Sequence, residues 1–321
     1  MRRYSSLPHG PRAYRVVGRR AITIAVAASL MASEAFAQAA GTAPLVLRLP
    51  GGARALALGN AFTGGWGSEV LFHNPAQLER GTGMTVSLQR YDGASTLGVF
   101  SSVMRTGSWT VGVGAQYLDY GATPDVFPAE PGDLTTRGSL DASSVAATLA
   151  VSRSVIGVRW GLAAKYVEER LPGAHDGRPA FDVGAAKDIG DLTIALVAQN
   201  LGPDLQIAGD DVPLPTRVTV GASASDIPIG PFVELELLVD VAFVRGGDVI
   251  PAAGVEFQYI PVEGWELAAR LGVRRVKKRD PAYPSPLTFG LSFSLDNVSL
   301  YYAHEPFVGP GAAHVLGLRL R

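Results

Sequence analysis

The sequence predicts an all-β fold: a transmembrane antiparallel β-barrel of about 14 strands with an N-terminal plug in its lumen. Three observations lead there. Apolar residues alternate with period two in segment after segment beyond Gly81. The opposite faces of those segments carry mainly Gly, Ala, Ser and Thr, where a water-exposed sheet would carry Lys, Glu and Asp. The connections also tend to alternate between long and tight, as they do in barrels with short turns on one side of a membrane and longer loops on the other.

At the N-terminus, Arg2, Arg3, Arg12, Arg15, Arg19 and Arg20 precede an apolar run from Ala21 to Met31, and Ala35-Phe36-Ala37 follows as a small-x-small site. This order reads as a cleaved secretory signal peptide over 1–37. The run is too short for a membrane-spanning helix, which takes roughly 20 residues. Residues 38–80 show no strand pattern and are read as the plug segment, and 81–321 as the barrel. Within the plug, Val70–Leu78 reads VLFHNPAQL. Asn74 can cap a short helix over Pro75–Arg80, with Pro75 first and Gln77 at the capping-box position; a plain Asn-Pro turn is the alternative.

Strands are expected near 83–91, 95–104, 109–118, 143–154, 156–168, 180–187, 192–200, 216–224, 232–243, 251–260, 265–275, 287–295, 297–304 and 313–321. In 109–117 one face is Trp109, Val111, Val113, Ala115 and Tyr117, and the other Thr110, Gly112, Gly114 and Gln116. Segments 265–273 and 287–295 repeat the pattern. Trp109, Tyr117, Trp160, Tyr166, Trp265 and Tyr302 stand at strand ends, where amphipathic rings form interfacial girdles. The longer connections are 119–142, 169–179, 201–215, 244–250, 276–286 and 305–312, while 91–94 and 225–231 depart from the alternation. In lipid every backbone amide must be paired, so such a sheet has to close.

The stretch GGARALALGNAF (Gly51–Phe62) followed by VLFHNPAQL resembles the start of the FadL-type outer-membrane barrels, and is most similar to their PorV/PorQ branch. QNLGPDLQ with LPTRVTVGAS, within 199–223, and the ending LYYAHEPFVGPGAAHVLGLRLR resemble that branch too. The resemblance implies a fourteen-stranded barrel in the outer membrane whose N-terminal segment fills the lumen. It implies one of two activities: passage of fatty acids and other hydrophobic small molecules, or contacts with secretion-system proteins in type IX secretion. The family motif maps onto Gly52, Ala53, Arg54, Asn74, Pro75 and Ala76. The chain departs from the family in having Gln77 where Gly is usual, and in ending on Arg321 rather than an aromatic residue.

The lumen-facing positions carry charge: Glu234, Glu236, Asp240, Glu256 and Glu266 against Arg159, Lys165, Arg217, Arg270, Arg274 and Arg319. Buried charges persist when paired, so cross-strand networks and contacts to the plug are expected, with Arg54 either pairing to one of the acids or solvated in the mouth. The basic run Arg274–Arg279 falls at a strand end and its loop, where it would meet lipopolysaccharide phosphates or water.

Other functions find little support. A net charge of −1 with 18% charged residues lacks the basic surface that nucleic acid needs. There is no cysteine, hence no disulfide or thiolate metal site. Of His73, His175, His304 and His314, none is spaced as a metal pair or near a nucleophile, and no phosphate-loop or nucleophile-elbow pattern occurs. An outer-membrane enzyme is the remote reading, no cofactor is implied, and the expected partner is membrane lipid.

Overall fold

A computed structural model of the chain describes residues 44–91, 95–121, 142–276, 285–307 and 311–321. The expected leader, residues 38–43 and Lys277–Arg279 lie outside them. The strands are β1 (Gly83–Arg90), β2 (Thr96–Thr106), β3 (Trp109–Asp119), β4 (Ser143–Val155), β5 (Val158–Leu171), β6 (Ala174–Ile189), β7 (Leu192–Leu201), β8 (Leu205–Ile207), β9 (Asp210–Val212), β10 (Arg217–Pro228), β11 (Val233–Val244), β12 (Asp248–Val262), β13 (Trp265–Arg274), β14 (Leu287–Leu295), β15 (Val298–Pro306) and β16 (Ala312–Leu320). Fourteen of them form one closed barrel in chain order, β7 pairing with β10 across the intervening β8 and β9, and β1 pairs antiparallel with β16 to complete it. The remaining two, β8 and β9, form a separate hairpin.

The alternation read from the sequence is the alternation of faces. On β14 the outward residues Leu287, Phe289 and Leu291 are exposed, while Thr288, Gly290 and Ser292 are buried. Apolar side chains cover the outside of every barrel strand, with Trp109, Tyr117, Trp160, Tyr166 and Trp265 among them. In water such a surface would be untenable; in hydrocarbon it is the matching one, and the barrel is a membrane-spanning one. A shallow apolar concavity of about 1090 Å3, which includes Phe257, Tyr259, Leu291 and Leu316, lies on this lipid-facing side.

Two of the expected long loops are mostly strand. Residues 169–179 extend β5 and β6 to a turn at 172–173, and 244–250 extend β11 and β12 in the same way. Beyond the lipid-facing band neither face needs to be apolar, so the alternation that marks a strand fades while its hydrogen bonds continue. Residues 201–215, read as loop, contain the β8–β9 hairpin. It folds over the loop end of the barrel and adds Leu205, Ile207 and nearby Leu214 to a core containing Val46, Leu47, Leu97 and Leu118.

The N-terminal residues from Pro44 run inside the barrel as one α-helical turn and three 3-10 turns. These are Leu45–Leu47, helix α1 (Ala53–Ala57), Ser68–Phe72 and Pro75–Arg80. Their burial follows from the wall. A fourteen-stranded barrel encloses more space than small inward residues can fill, and the chain supplies the filling from its own N-terminus. Close approach is possible because the wall is glycine where the two meet. A Cβ on Gly161 would lie 2.2 Å from the backbone of Pro75 and Ala76, and one on Gly184 2.0 Å from Asn74 Oδ1.

Candidate functional site

Two unlike contacts between the N-terminal segment and the wall dominate the lumen, beside a smaller apolar one in which Ala53, Leu56 and Ala57 pack with Tyr301, Ala303 and Val315. One is a buried ionic cluster. Arg54, from α1, donates through Nε to Glu256 Oε2 at 2.8 Å and through Nη2 to Glu236 Oε2. Its Nη1 reaches the Trp66 carbonyl at 3.1 Å, and the guanidinium stacks on the Trp66 ring with 3.9 Å to the centroid. Trp66 Nε1 in turn donates to Glu236 at 2.9 Å. Arg270 shares Glu256 at 2.5 Å and donates to Ser292 at 3.0 Å. Arg54, Glu236, Glu256 and Arg270 are each 3% exposed or less. Burial works against the Arg54 charge, but the two carboxylates outweigh it and raise its pKa above the usual arginine value.

Backbone contacts extend the cluster. Asp240 accepts from the amides of Phe62 and Thr63 at 2.9 Å each and from Thr63 Oγ1 at 2.7 Å. Ser223 holds the Gly64 carbonyl at 2.8 Å, and Thr288 receives the Gly59 amide at 3.1 Å. Glu69 is a buried carboxylate beside this group. Desolvation pushes its pKa up to about 7, although Arg54, Arg319 and Arg270 pull it down. His73 packs edge-on against Phe62, and burial, with Arg217 and Lys165 nearby, lowers its pKa to about 3. It is neutral at ordinary pH.

The second contact is apolar. On the β2–β5 side, Leu97, Val99, Val103, Leu118 and Val167 face inward and pack into one core with Val46, Leu47, Leu71, Phe72 and Leu78 of the segment. Directional bonds are fewer here, and two of them are exposed ones to Glu79, from Arg105 Nη2 to its carbonyl at 3.1 Å and from Ser154 Oγ to its carboxylate at 2.7 Å. The Gln116 side chain reaches the Val46 carbonyl at 3.5 Å, and Ser68 bridges to Thr85 and Ser101.

Asn74-Pro75-Ala76 sits between the two. Asn74 Oδ1 accepts from the Ala76 amide at 3.0 Å and caps the 3-10 turn Pro75–Arg80, while Nδ2 donates to the Thr63 carbonyl at 3.1 Å. Gln77 makes no capping-box bond. Both of its side-chain polar atoms are buried without a partner among the described residues, because the 3-10 winding does not return its side chain to the cap. Gly52 and Ala53 start α1, where a Cβ on Gly52 would lie 2.0 Å from Glu69 Oε1.

The sequence-predicted lumen charges fall into several separate groups. Lys165 pairs with Asp182 at 2.7 Å and donates to Asn200 at 2.9 Å, a second buried group near the loop end. Arg159 pairs with Asp188 at the turn end. Arg274 turns inward to Glu305 instead of joining a surface basic run, while Arg275 is exposed. Arg217 donates to Gln199 at 2.8 Å. Arg319 lies over Trp66 at 4.9 Å. Glu234 and Glu266, half-buried on the inner face, make no ion pair among the described residues. The sequence reading overlooked Trp66, Glu69, Asp182 and Glu305; charges or an indole inside apolar or Gly-rich stretches were the available signal.

Two of the histidines meet in the structure although their spacing in sequence does not suggest it. His304 and His314 are direct register partners in β15 and β16, with ring centroids 4.8 Å apart. Strand pairing brings together residues that their spacing in sequence keeps apart.

No family model matches the chain, and no curated protein matches it. Among solved structures, it is similar to the Pseudomonas putida toluene transporter TodX at 13% identity and a TM-score of 0.54, over 84% of this chain and 96% of that one. The CymD monoaromatic hydrocarbon channel is similar at 13% identity and a TM-score of 0.51, over 84% of this chain and 96% of its own. A TodX variant lacking S2 and S3 gives 13% identity and a TM-score of 0.53, over 84% and 98%. At this identity the likeness is one of fold.

Proposed function

We propose that the chain is a non-enzymatic FadL-like barrel of the outer membrane that lets hydrophobic small molecules across. It would be exported by the signal peptide 1–37, with 38–80 serving as plug and 81–321 as barrel, its tight turns in the periplasm and its longer loops outside. The observation that carries the reading is the unequal lumen. Ion pairs and backbone hydrogen bonds fix the N-terminal segment to β11–β14, whereas mainly dispersion and apolar burial hold it against β2–β5. A hydrophobic solute entering the second side replaces mainly apolar contacts with apolar contacts and displaces few hydrogen bonds, those of Gln116 and Ser101 among them. A sugar or an ion would strand several. Arg54, with Glu236 and Glu256, is assigned the role of holding the plug.

The fold shared with TodX and CymD supports this reading and makes monoaromatic hydrocarbons the first class to test. Purified protein equilibrated with deuterated toluene, stripped of bulk solvent and analysed by mass spectrometry should retain the solute. A Leu71→Asn variant, placing an amide on the apolar side, should not. Equal retention by both, or by neither, would count against the reading.

The motif resemblance favours a second reading, a PorV/PorQ-type barrel acting through secretion-system proteins. Deletion of the gene would then deplete secreted proteins from the medium and leave hydrocarbon entry unchanged.

A further inference from the structure

We propose that His304 and His314 form a surface chelate for a divalent transition-metal ion at the loop-end rim of the barrel. The two are directly opposite in the β15–β16 ladder, their rings 4.8 Å apart between centroids and inclined at 48°. Both face outward. Two imidazoles on one face of an antiparallel pair can converge on a metal with Zn–N-type distances of about 2.0–2.1 Å with little backbone movement.

The surroundings suit a ligand role. Tyr302 Oη lies 3.0 Å from His314 Nδ1. With Nδ1–H donating to that oxygen, the lone pair of His314 is on Nε2 and directed away from the tyrosine; such a second contact commonly fixes the tautomer of a metal-bound histidine. His304 packs on the Phe289 ring at 4.8 Å, and its Nδ1 is buried with no hydrogen-bond partner among the described residues, which leaves Nε2 as the nitrogen for a metal.

The pair is also placed where aqueous ions reach it. On β16 the outward residues Leu320, Leu318 and Leu316 give way to His314, and on β1 Met84, Val86 and Leu88 give way to Arg90, the register partner of His314 on its other side. On β1 and β16 the apolar band ends at this row, while on β14 it continues through Phe289 to Leu287. Among the described residues no group of three or more His, Asp or Glu is placed to hold a metal, so water would complete the coordination and the site would be of modest affinity. Arg90 is exposed, and its charge weakens cation binding.

The test is Cu2+ binding to the tag-free, membrane-extracted protein at neutral pH, since copper binds imidazole most tightly among the first-row divalent ions. Titration should give one ion per chain, and its paramagnetic resonance spectrum should show nitrogen coupling from imidazole. His304→Ala and His314→Ala should each weaken binding at least tenfold. Tyr302→Phe should weaken it several-fold, Arg90→Gln should tighten it, and His175→Ala should change nothing. Circular dichroism confirms that each variant is folded. If folded His304→Ala and His314→Ala proteins bind copper as the parent does, or the parent binds none, the pair is an aromatic packing contact and the proposal falls.

Discussion

Replacing Arg54 by Met probes the hold on the lumenal segment. The side chain joins two carboxylates, Glu236 and Glu256, that are each 1% exposed or less. Arg270 remains to Glu256 and the Trp66 indole to Glu236, so the loss leaves one excess buried negative charge. Removing one partner of a buried ion pair costs about 3–5 kcal/mol, and most of that penalty lies in the uncompensated charge. Hydrating the carboxylates relieves it, which requires α1 to loosen its packing on Tyr301, Ala303 and Val315 so that water reaches Glu236 and Glu256. Met keeps the apolar bulk of the stem, so packing against Phe62 and Trp66 is largely retained. Planar-bilayer recordings of Arg54→Met should show open events at least tenfold more frequent than in the parent, with greater protease sensitivity in residues 44–82. Adding Glu236→Gln restores charge balance with Arg270 and Glu256 and should recover most of the closed behaviour. A single variant as silent as the parent, or a double variant more conductive than the single, would refute the assignment of Arg54 as the tether.

Other outcomes follow from the same contacts. Gly184→Ala places a Cβ about 2.0 Å from the Asn74 cap oxygen and should destabilise the barrel by about 1–3 kcal/mol in urea unfolding. Asn74→Ala removes the cap, at about 1 kcal/mol, and leaves the buried Thr63 carbonyl without its donor; protease protection of the segment reports the combined loss. His73 has a folded pKa of about 3 against an ordinary 6.5, so the unfolded state binds the extra proton. Stability from this group is full above pH 6.5 and declines as pH falls towards 3; His73→Gln should flatten that limb of a denaturation–pH curve. Glu69, held up at about 7, acts in the opposite sense: stability falls as pH rises from 4.5 to 7, and Glu69→Gln should raise the midpoint most above pH 7.

All fourteen barrel strands were legible, because an outward apolar residue at every second position is required by lipid and survives wherever lipid is. Past the band that requirement ends: Glu168-Glu169-Arg170 and His175 to Arg178 belong to paired strands, yet nothing in their order distinguishes strand from loop. Asn74 and Pro75 announced their cap locally, since capping depends on neighbours in sequence. The partners of Arg54 lie 182 and 202 residues away, and only closure of the barrel brings them within reach. Gly161 and Gly184 resembled any other small inward residue until the segment opposite was in place. The proximity of His304 and His314 was not legible from their spacing. Strand bounds alone do not say which residues of β15 and β16 stand opposite, and that pairing sets His304 against His314.

Solute entry measured in cells with and without the protein bears most directly on the proposed passage. Uptake of radiolabelled toluene, with a sugar of similar mass as the polar control, should rise with expression for toluene alone, and Leu71→Asn should abolish the rise. Equal permeation of both solutes, or toluene entry indifferent to the protein, would contradict a hydrophobic route through this barrel.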